Sequence, residues 1–151
     1  KKYIIIHPNN DLGSNIIINA IMKLSKNKKF KLFKTMRLTY FLTLLKNANF
    51  IIGNSSAGIR EAPFYGIQAI NVGSRQHSRF KNKIIHNTDF NKKKILEAIK
   101  KSSKKIKRKS IKYFGDGKSA SKFSKIILQN RFWRTKIQKH FIDKSYFDAT
   151  N

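Results

Sequence analysis

The chain has 151 residues, enough for one domain with a sizeable core, and carries 34 Lys and Arg against 7 Asp and Glu, a formal charge of +27. It contains no cysteine, which excludes disulfides, a thiol nucleophile and thiolate metal sites. No apolar run approaches the roughly 20 residues that span a bilayer and no signal peptide opens the sequence, so a cytoplasmic protein with no membrane partner is expected.

Tyr3-Ile4-Ile5-Ile6 is a continuous apolar run of strand length, as in a parallel strand covered on both faces. The turn-rich loop His7-Pro8-Asn9-Asn10-Asp11-Leu12-Gly13-Ser14 follows, with Asp11 or Ser14 placed to cap the next helix. Ile16, Ile17, Ala20, Ile21 and Leu24 give that helix an apolar stripe. Residues 30–33 read as a second strand, and Leu38, Phe41, Leu42, Leu44 and Leu45 recur at helical spacing over residues 38–48. Residues 50–52 form the third strand, 59–65 a short helix, 68–72 the fourth strand and 83–86 a fifth. A helix starting at Asn91 and running to about residue 104 turns Ile95, Leu96 and Ile99 inward. A basic linker, 104–109, leads to Tyr113-Phe114-Gly115-Asp116-Gly117 and a last helix near 120–130, with Phe123, Ile126 and Ile127 on its apolar face. Residues 131–151 carry aromatics without a period. Docking on the domain, or on a missing half, is the expected role of that tail.

Alternating strands and helices predict an α/β fold, a Rossmann-like parallel sheet with helices on both faces and ligands at the carboxyl ends of the strands. The loops rich in Gly, Asn and Ser all follow strands. All seven glycines fall at predicted strand–helix junctions, where positive φ or close backbone approach is needed. The charge alone would point to nucleic acid. However, Lys, Asn and Ile saturate the whole chain and Val occurs once, at Val72, which is the mark of A/T-rich coding bias. A polyanion-binding module therefore stands as the rival of another class. The four histidines, His7, His77, His86 and His140, are scattered, and no pair shows metal-ligand spacing.

The segment Gly53-Asn54-Ser55-Ser56-Ala57-Gly58-Ile59-Arg60-Glu61-Ala62-Pro63 is the most informative. A strand, a glycine turn and a helix start bring two hydroxyls and several N–H groups together where anions bind. Ser55 and Ser56 suit a diphosphate; serine is also a common helix cap, but two serines between two glycines exceed what a cap needs. Glu61, about one turn on, suits a ribose diol, although its first-turn place also complements the dipole. Arg60 reads as a surface or ion-pair residue. The segment reads as a nucleotide-diphosphate site, and as half of one. Because the sequence enters a strand directly without a methionine, a fragment lacking its N-terminal half is expected.

Five motifs occur in order: Pro8-Asn9-Asn10-Asp11-Leu12-Gly13-Ser14, Tyr40-Phe41-Leu42-Thr43-Leu44-Leu45-Lys46, the Gly53 to Pro63 run, Ile70-Asn71-Val72-Gly73-Ser74-Arg75-Gln76 and Phe114-Gly115-Asp116-Gly117. Together they resemble the C-terminal half of the UDP-N-acetylglucosamine 2-epimerases, specifically the hydrolysing branch of sialic-acid-type sugar synthesis. The resemblance implies the second domain of a two-domain GT-B architecture, with residues 1–130 as the UDP-binding domain and 131–151 as a tail. It implies that Ser55 and Ser56 bind the diphosphate and Glu61 the ribose hydroxyls. Asn9 and the Met36 backbone would lie near the nucleotide and uracil, and Arg75 would line the same cleft. No catalytic residue is implied here, because the acid–base groups belong to the missing domain. The implied partners are a UDP-sugar and that domain, and a homo-oligomer is compatible with it; no cofactor or metal is implied. The implied reaction is anti elimination of UDP to a glycal, then hydration with inversion at C2. A non-hydrolysing epimerase, or one acting on a modified UDP-sugar, is the alternative. Asn15, Asn19 and Met22 stand where relatives regulated by CMP-sialic acid carry basic residues, so such regulation is not expected.

Overall fold

The computed structural model describes residues 2–103 and 109–138. Most of the basic linker and the tail beyond residue 138, with His140, Phe141, Tyr146 and Phe147, lie outside the described residues. The chain divides into two compact units, Lys1–Lys112 and Tyr113–Asn151. No described helix is long and apolar enough to cross a membrane.

In the first unit, β1 (Tyr3–Ile6) pairs in parallel with β2 (Phe30–Phe33), and β3 (Phe50–Gly53), β4 (Gln68–Val72) and β5 (Ile85–Thr88) form a second parallel sheet in that order. Helices α1 (Ser14–Met22), α2 (Leu38–Asn47), α3 (Glu61–Phe64) and α4 (Lys92–Ser102) connect or follow the strands. The expected parallel α/β architecture is present. Among the described residues its five strands nevertheless lie in two sheets, β1 bonding only to β2 and β3 only to β4.

The core sits on β4, where Gln68, Ala69, Ile70 and Asn71 are all buried. Alternate residues of a strand face opposite sides. Ala69 joins Leu45, Ile59, Ala62, Ile67 and Ile85 in one apolar cluster, so α2, α3 and the turn before it cover that face. Ile70 points the other way, where α4 packs across β4 and β5 with Ala98 buried. The three-stranded sheet thus has helices on both faces.

Local differences from expectation have local causes. The 59–65 helix is split into a 3-10 turn, Ser56–Gly58, and the single turn of α3. Pro63 has no N–H to return to residue 59, so it is accommodated only in the first turn of a helix, which starts at Glu61. Strand β5 begins two residues later than expected because Asn82 accepts the Ile84 N–H through Oδ1 at 3.2 Å and the Ile85 N–H through its carbonyl at 3.0 Å. Neither Asp11 nor Ser14 caps α1, whose N-cap is Gly13 at φ 85°. Instead the Ser14 hydroxyl donates to the carbonyls of Asn9 and Asp11. In α4, Asn91 is the cap rather than the first helical residue, accepting the Lys94 N–H at 3.1 Å, and Leu96 faces outward, the inward row being Ile95, Ala98, Ile99 and Ser102.

In the second unit, α5 (Ser119–Ile127) is followed by a short helix, α6 (Asn130–Trp133), inside the segment read as unpatterned. Asp116 is a turn residue at the helix entrance, as expected: Oδ1 accepts the Lys118 N–H at 3.1 Å and the same oxygen lies 3.1 Å from Lys122 Nζ. These contacts hold its carboxyl below the usual range, the backbone hydrogen bond contributing most. Phe123 and Ile126 on α5 are exposed, so the expected apolar face is not covered.

Two stability outcomes follow from this packing. Ile59, 1 % exposed, lies between the loop after β3 and the sheet, and Ile59→Ala should cost about 3 kcal/mol in urea unfolding. His86 Nε2 lies 3.0 Å from Gln68 Oε1, and burial, then Lys101, holds the imidazole below its ordinary value of 6.5. The unfolded chain therefore takes up this proton first as pH falls. The stability contributed by neutral His86 is complete above pH 6.5 and is lost as pH drops through the lower folded value. His86→Gln should flatten that part of the acid limb.

Candidate functional site

The loop after β3 leaves the strand at Gly53 and folds straight onto the sheet. A Cβ at Gly58 would meet that of Ala69 at 3.4 Å, ordinary van der Waals contact, so the 3-10 turn rests directly against β4. Ser55 is the cap of this turn, its Oγ accepting the Ala57 N–H at 3.3 Å. The Gly58 N–H returns to the Ser55 carbonyl, and those of Ile59 and Arg60 return to Ser56. The N–H groups of Ser55 and Ser56, and the Ser56 hydroxyl, donate to no group among the described residues. These donors are available to an anion. Because the helix is split, no long-helix dipole reinforces them; attraction rests on individual N–H groups and the surrounding positive charge.

Glu61 opens α3 half-buried, and its Oε2 is buried without a hydrogen-bond partner. An unpartnered carboxylate oxygen is costly unless a donor arrives from outside. A pair of ligand hydroxyls would supply one. This is the group that the sequence analysis assigned to a ribose.

The loop after β4 holds the first loop in place. Gly73, at φ 82°, makes a turn open to glycine, and its N–H donates to the Thr88 carbonyl at 2.8 Å. Gln76 is then buried, 4 % exposed, and its Nε2 donates to the Asn54 carbonyl at 3.1 Å. Sequence reasoning gave Gln76 no role; its only sign was its place in the Gly-Ser-Arg-Gln turn.

Arg75 projects beside it and pairs with Asp11 at 3.5 Å, both side chains being largely exposed. Such a pair contributes at most about 1 kcal/mol. Its geometric consequence is larger, because it joins the loop after β1 to the loop after β4. Asp11, expected to be a cap, is thus a partner of Arg75. Asn9 lies exposed in the same β1 loop. Met36 stands apart from these residues, half-buried in an apolar cleft of about 620 Å³ with Phe33, Arg37, Tyr40 and Leu44, at the carboxyl end of β2. The six candidate residues therefore all follow the carboxyl ends of strands: Asn9 after β1, Met36 after β2, Ser55, Ser56 and Glu61 after β3, and Arg75 after β4. Among the described residues no three His, Asp or Glu side chains gather as metal ligands.

The family model for UDP-N-acetylglucosamine 2-epimerase matches residues 1–128. The chain belongs to that family. It is 42 % identical to a UDP-N-acetylglucosamine 2-epimerase of Neisseria meningitidis serogroup B, over 91 % of this chain and 37 % of that protein. It is 29 % identical to a hydrolysing UDP-N,N'-diacetylbacillosamine 2-epimerase of Legionella pneumophila, over 82 % of this chain and 33 % of that one. A crystal structure of the Methanocaldococcus jannaschii UDP-GlcNAc 2-epimerase in complex with UDP-GlcNAc and UDP superposes with a TM-score of 0.67 at 26 % identity, covering 84 % of this chain and 35 % of that one. The chain thus spans about a third of the length of the relatives it matches, and it has the fold of one part of these longer epimerases.

The Gln76 tether is directly testable. Gln76→Ala removes the hydrogen bond to the Asn54 carbonyl and a buried side chain, at a cost of about 1 kcal/mol in urea unfolding. Arg79→Ala, on an exposed residue outside this contact, should leave that stability unchanged.

Proposed function

We propose that the intact protein is a hydrolysing UDP-N-acetylglucosamine 2-epimerase, or a relative acting on a modified UDP-sugar, and that this chain supplies the UDP-binding half. The observation that carries the reading is the juxtaposition, in one short loop, of free Ser55 and Ser56 donors with the unpartnered buried oxygen of Glu61. Membership of the epimerase family supports it, as does the hydrolysing activity named for the Legionella relative.

In this reading the Ser55 and Ser56 N–H groups and the Ser56 hydroxyl hold the diphosphate, Glu61 accepts from the ribose hydroxyls, and Arg75 and Asn9 line the nucleotide. The uracil lies against the Met36 backbone, in the apolar cleft beside β2. Binding the diphosphate here stabilises it as a leaving group: loss of the C2 proton and cleavage of the C1–O bond release UDP and leave a glycal. Water then adds at C1 and a proton returns to C2 from the opposite face, giving N-acetylmannosamine. The groups that move those protons belong to the domain beyond this chain. Residues 1–130 act as the nucleotide domain and the segment after them as a docking tail, in a cytoplasmic enzyme. The Neisseria relative, whose name specifies no hydrolysis, keeps the non-hydrolysing reaction as the second reading.

The intact protein, incubated with UDP-N-acetylglucosamine, should release UDP and N-acetylmannosamine in equal amounts, while the 151-residue chain alone turns over nothing. Ser56→Ala and Glu61→Gln should each lower kcat/KM roughly tenfold, about 1.4 kcal/mol. Accumulation of UDP-N-acetylmannosamine without UDP would replace the hydrolysing reaction by the non-hydrolysing one. Absence of any nucleotide-sugar turnover, together with RNA binding that collapses between low and high salt, would favour the polyanion-binding reading instead.

A further inference from the structure

Phe90, at the carboxyl end of β5, is an apolar ring left largely in water, 84 % exposed. A side chain in that state adds little to the stability of the core. Its tip nevertheless rests on a buried glycine. A Cβ built on Gly73 would lie 2.8 Å from the ring's Cζ, 3.1 Å from Cε2 and 3.6 Å from Cε1, and these are the three heavy atoms nearest to it. The ring thus stands where residue 73 would otherwise carry a side chain.

Both sides of this contact are held. Gly73 donates to the Thr88 carbonyl at 2.8 Å, one step beyond the last paired residues of β4 and β5, Val72 and Thr88. The residues flanking Phe90 are both fixed to the first turn of α4: Asp89 accepts from Lys94 Nζ at 2.6 Å, and Asn91 Oδ1 accepts the Lys94 N–H at 3.1 Å. The hydrogen bond and charge of Lys94 hold the Asp89 carboxyl below its usual range, and His77 adds to the same shift. The His77 N–H in turn donates to the Ser74 carbonyl at 2.9 Å and closes the turn that Gly73 opens. Glycine at φ 82° has no side chain to limit its dihedrals. The direction in which the chain leaves β4 therefore needs a constraint from outside. That direction matters, because Arg75 and Gln76 follow at once and reach the loops after β1 and β3.

We propose that Phe90 is a positioning residue of the nucleotide site: its ring, braced by the start of α4, wedges the Gly73 turn so that Gln76 meets Asn54 and Arg75 meets Asp11. Resting on the nucleotide reading above, the ring touches no ligand and acts through the turn. Without it the Ser55–Ser56 loop is held less firmly and UDP binds less well. The groups that move protons, which that reading places beyond this chain, are unaffected. Loss of the ring should therefore appear in KM rather than in kcat.

Two measurements on the intact protein test this, the first without nucleotide. In Phe90→Ala the amides of Gly73 and His77 should exchange at least about tenfold faster than in the parent, while Ala69, whose N–H donates to Ile84 deep in the sheet, is unchanged. Unchanged exchange at Gly73 and His77 would overturn the wedge. In the second, Phe90→Ala should raise KM for the UDP-sugar roughly threefold to tenfold with kcat within about twofold, and shift the thermal midpoint by less than about two degrees. Phe90→Leu, which keeps a shorter apolar group over Gly73, should recover part of the loss. An unchanged KM, or a fall in the midpoint as large as that of Ile59→Ala, would overturn the positioning role. A parent that binds no UDP would remove the nucleotide reading instead, with the exchange result still deciding the wedge.

Discussion

Strand β4 is hydrogen-bonded on both edges and buried on both faces, and the candidate site depends on that arrangement. A strand in this position cannot shift by one residue without carrying Ala69 and Ile70 to the wrong faces. Its carboxyl end is therefore fixed, and with it the turn at Gly73 and the buried amide of Gln76. From there one hydrogen bond to the Asn54 carbonyl sets the loop that carries Ser55 and Ser56. On the other side, Ala69 abuts Gly58, so the same strand supports the loop from below. The donors left free at Ser55 and Ser56 are held open by packing on β4 rather than by the loop's own rigidity.

Charge plays a different part. The ion pairs Arg75–Asp11, Lys94–Asp89 and Lys122–Asp116 are each solvent-exposed. Pairs of this kind contribute little to stability. The lysines of α4 lie on its outer side, Lys92, Lys93, Lys94, Lys100 and Lys101 being exposed while Ala98 and Ser102 face the sheet. The positive excess is thus a solvated surface around the loops, favourable to any anion and selective for none. In the proposed reading, selectivity for a nucleotide comes from Glu61 and from the apolar cleft at Met36.

Strand positions were legible because parallel strands read as unbroken apolar runs: β1, β2 and β4 begin and end where their sequences indicate. The glycines were legible for a similar reason, six adopting positive φ and Gly58 taking the close approach to Ala69. Features set by distant or competing contacts were not. Leu96 fits a helical stripe, but Ala98 lies closest to the sheet and turns Leu96 outward. The tether from Gln76 spans 22 residues of sequence, so no local pattern marks it. The division into two sheets also had no signature, since β1 carries the sequence of a covered strand although it pairs only with β2 among the described residues.

The central claim is that the carboxyl-end loops recognise a nucleoside diphosphate. The most direct measurement compares UDP, UMP and uridine by calorimetric titration of the intact protein at constant ionic strength. If the Ser55–Ser56 loop holds both phosphates while Glu61 and the Met36 cleft hold the nucleoside, affinity should rise in steps from uridine to UMP to UDP, and inorganic pyrophosphate should bind more weakly than UDP. Equal affinity for UDP and uridine, or for UDP and pyrophosphate, would contradict the account.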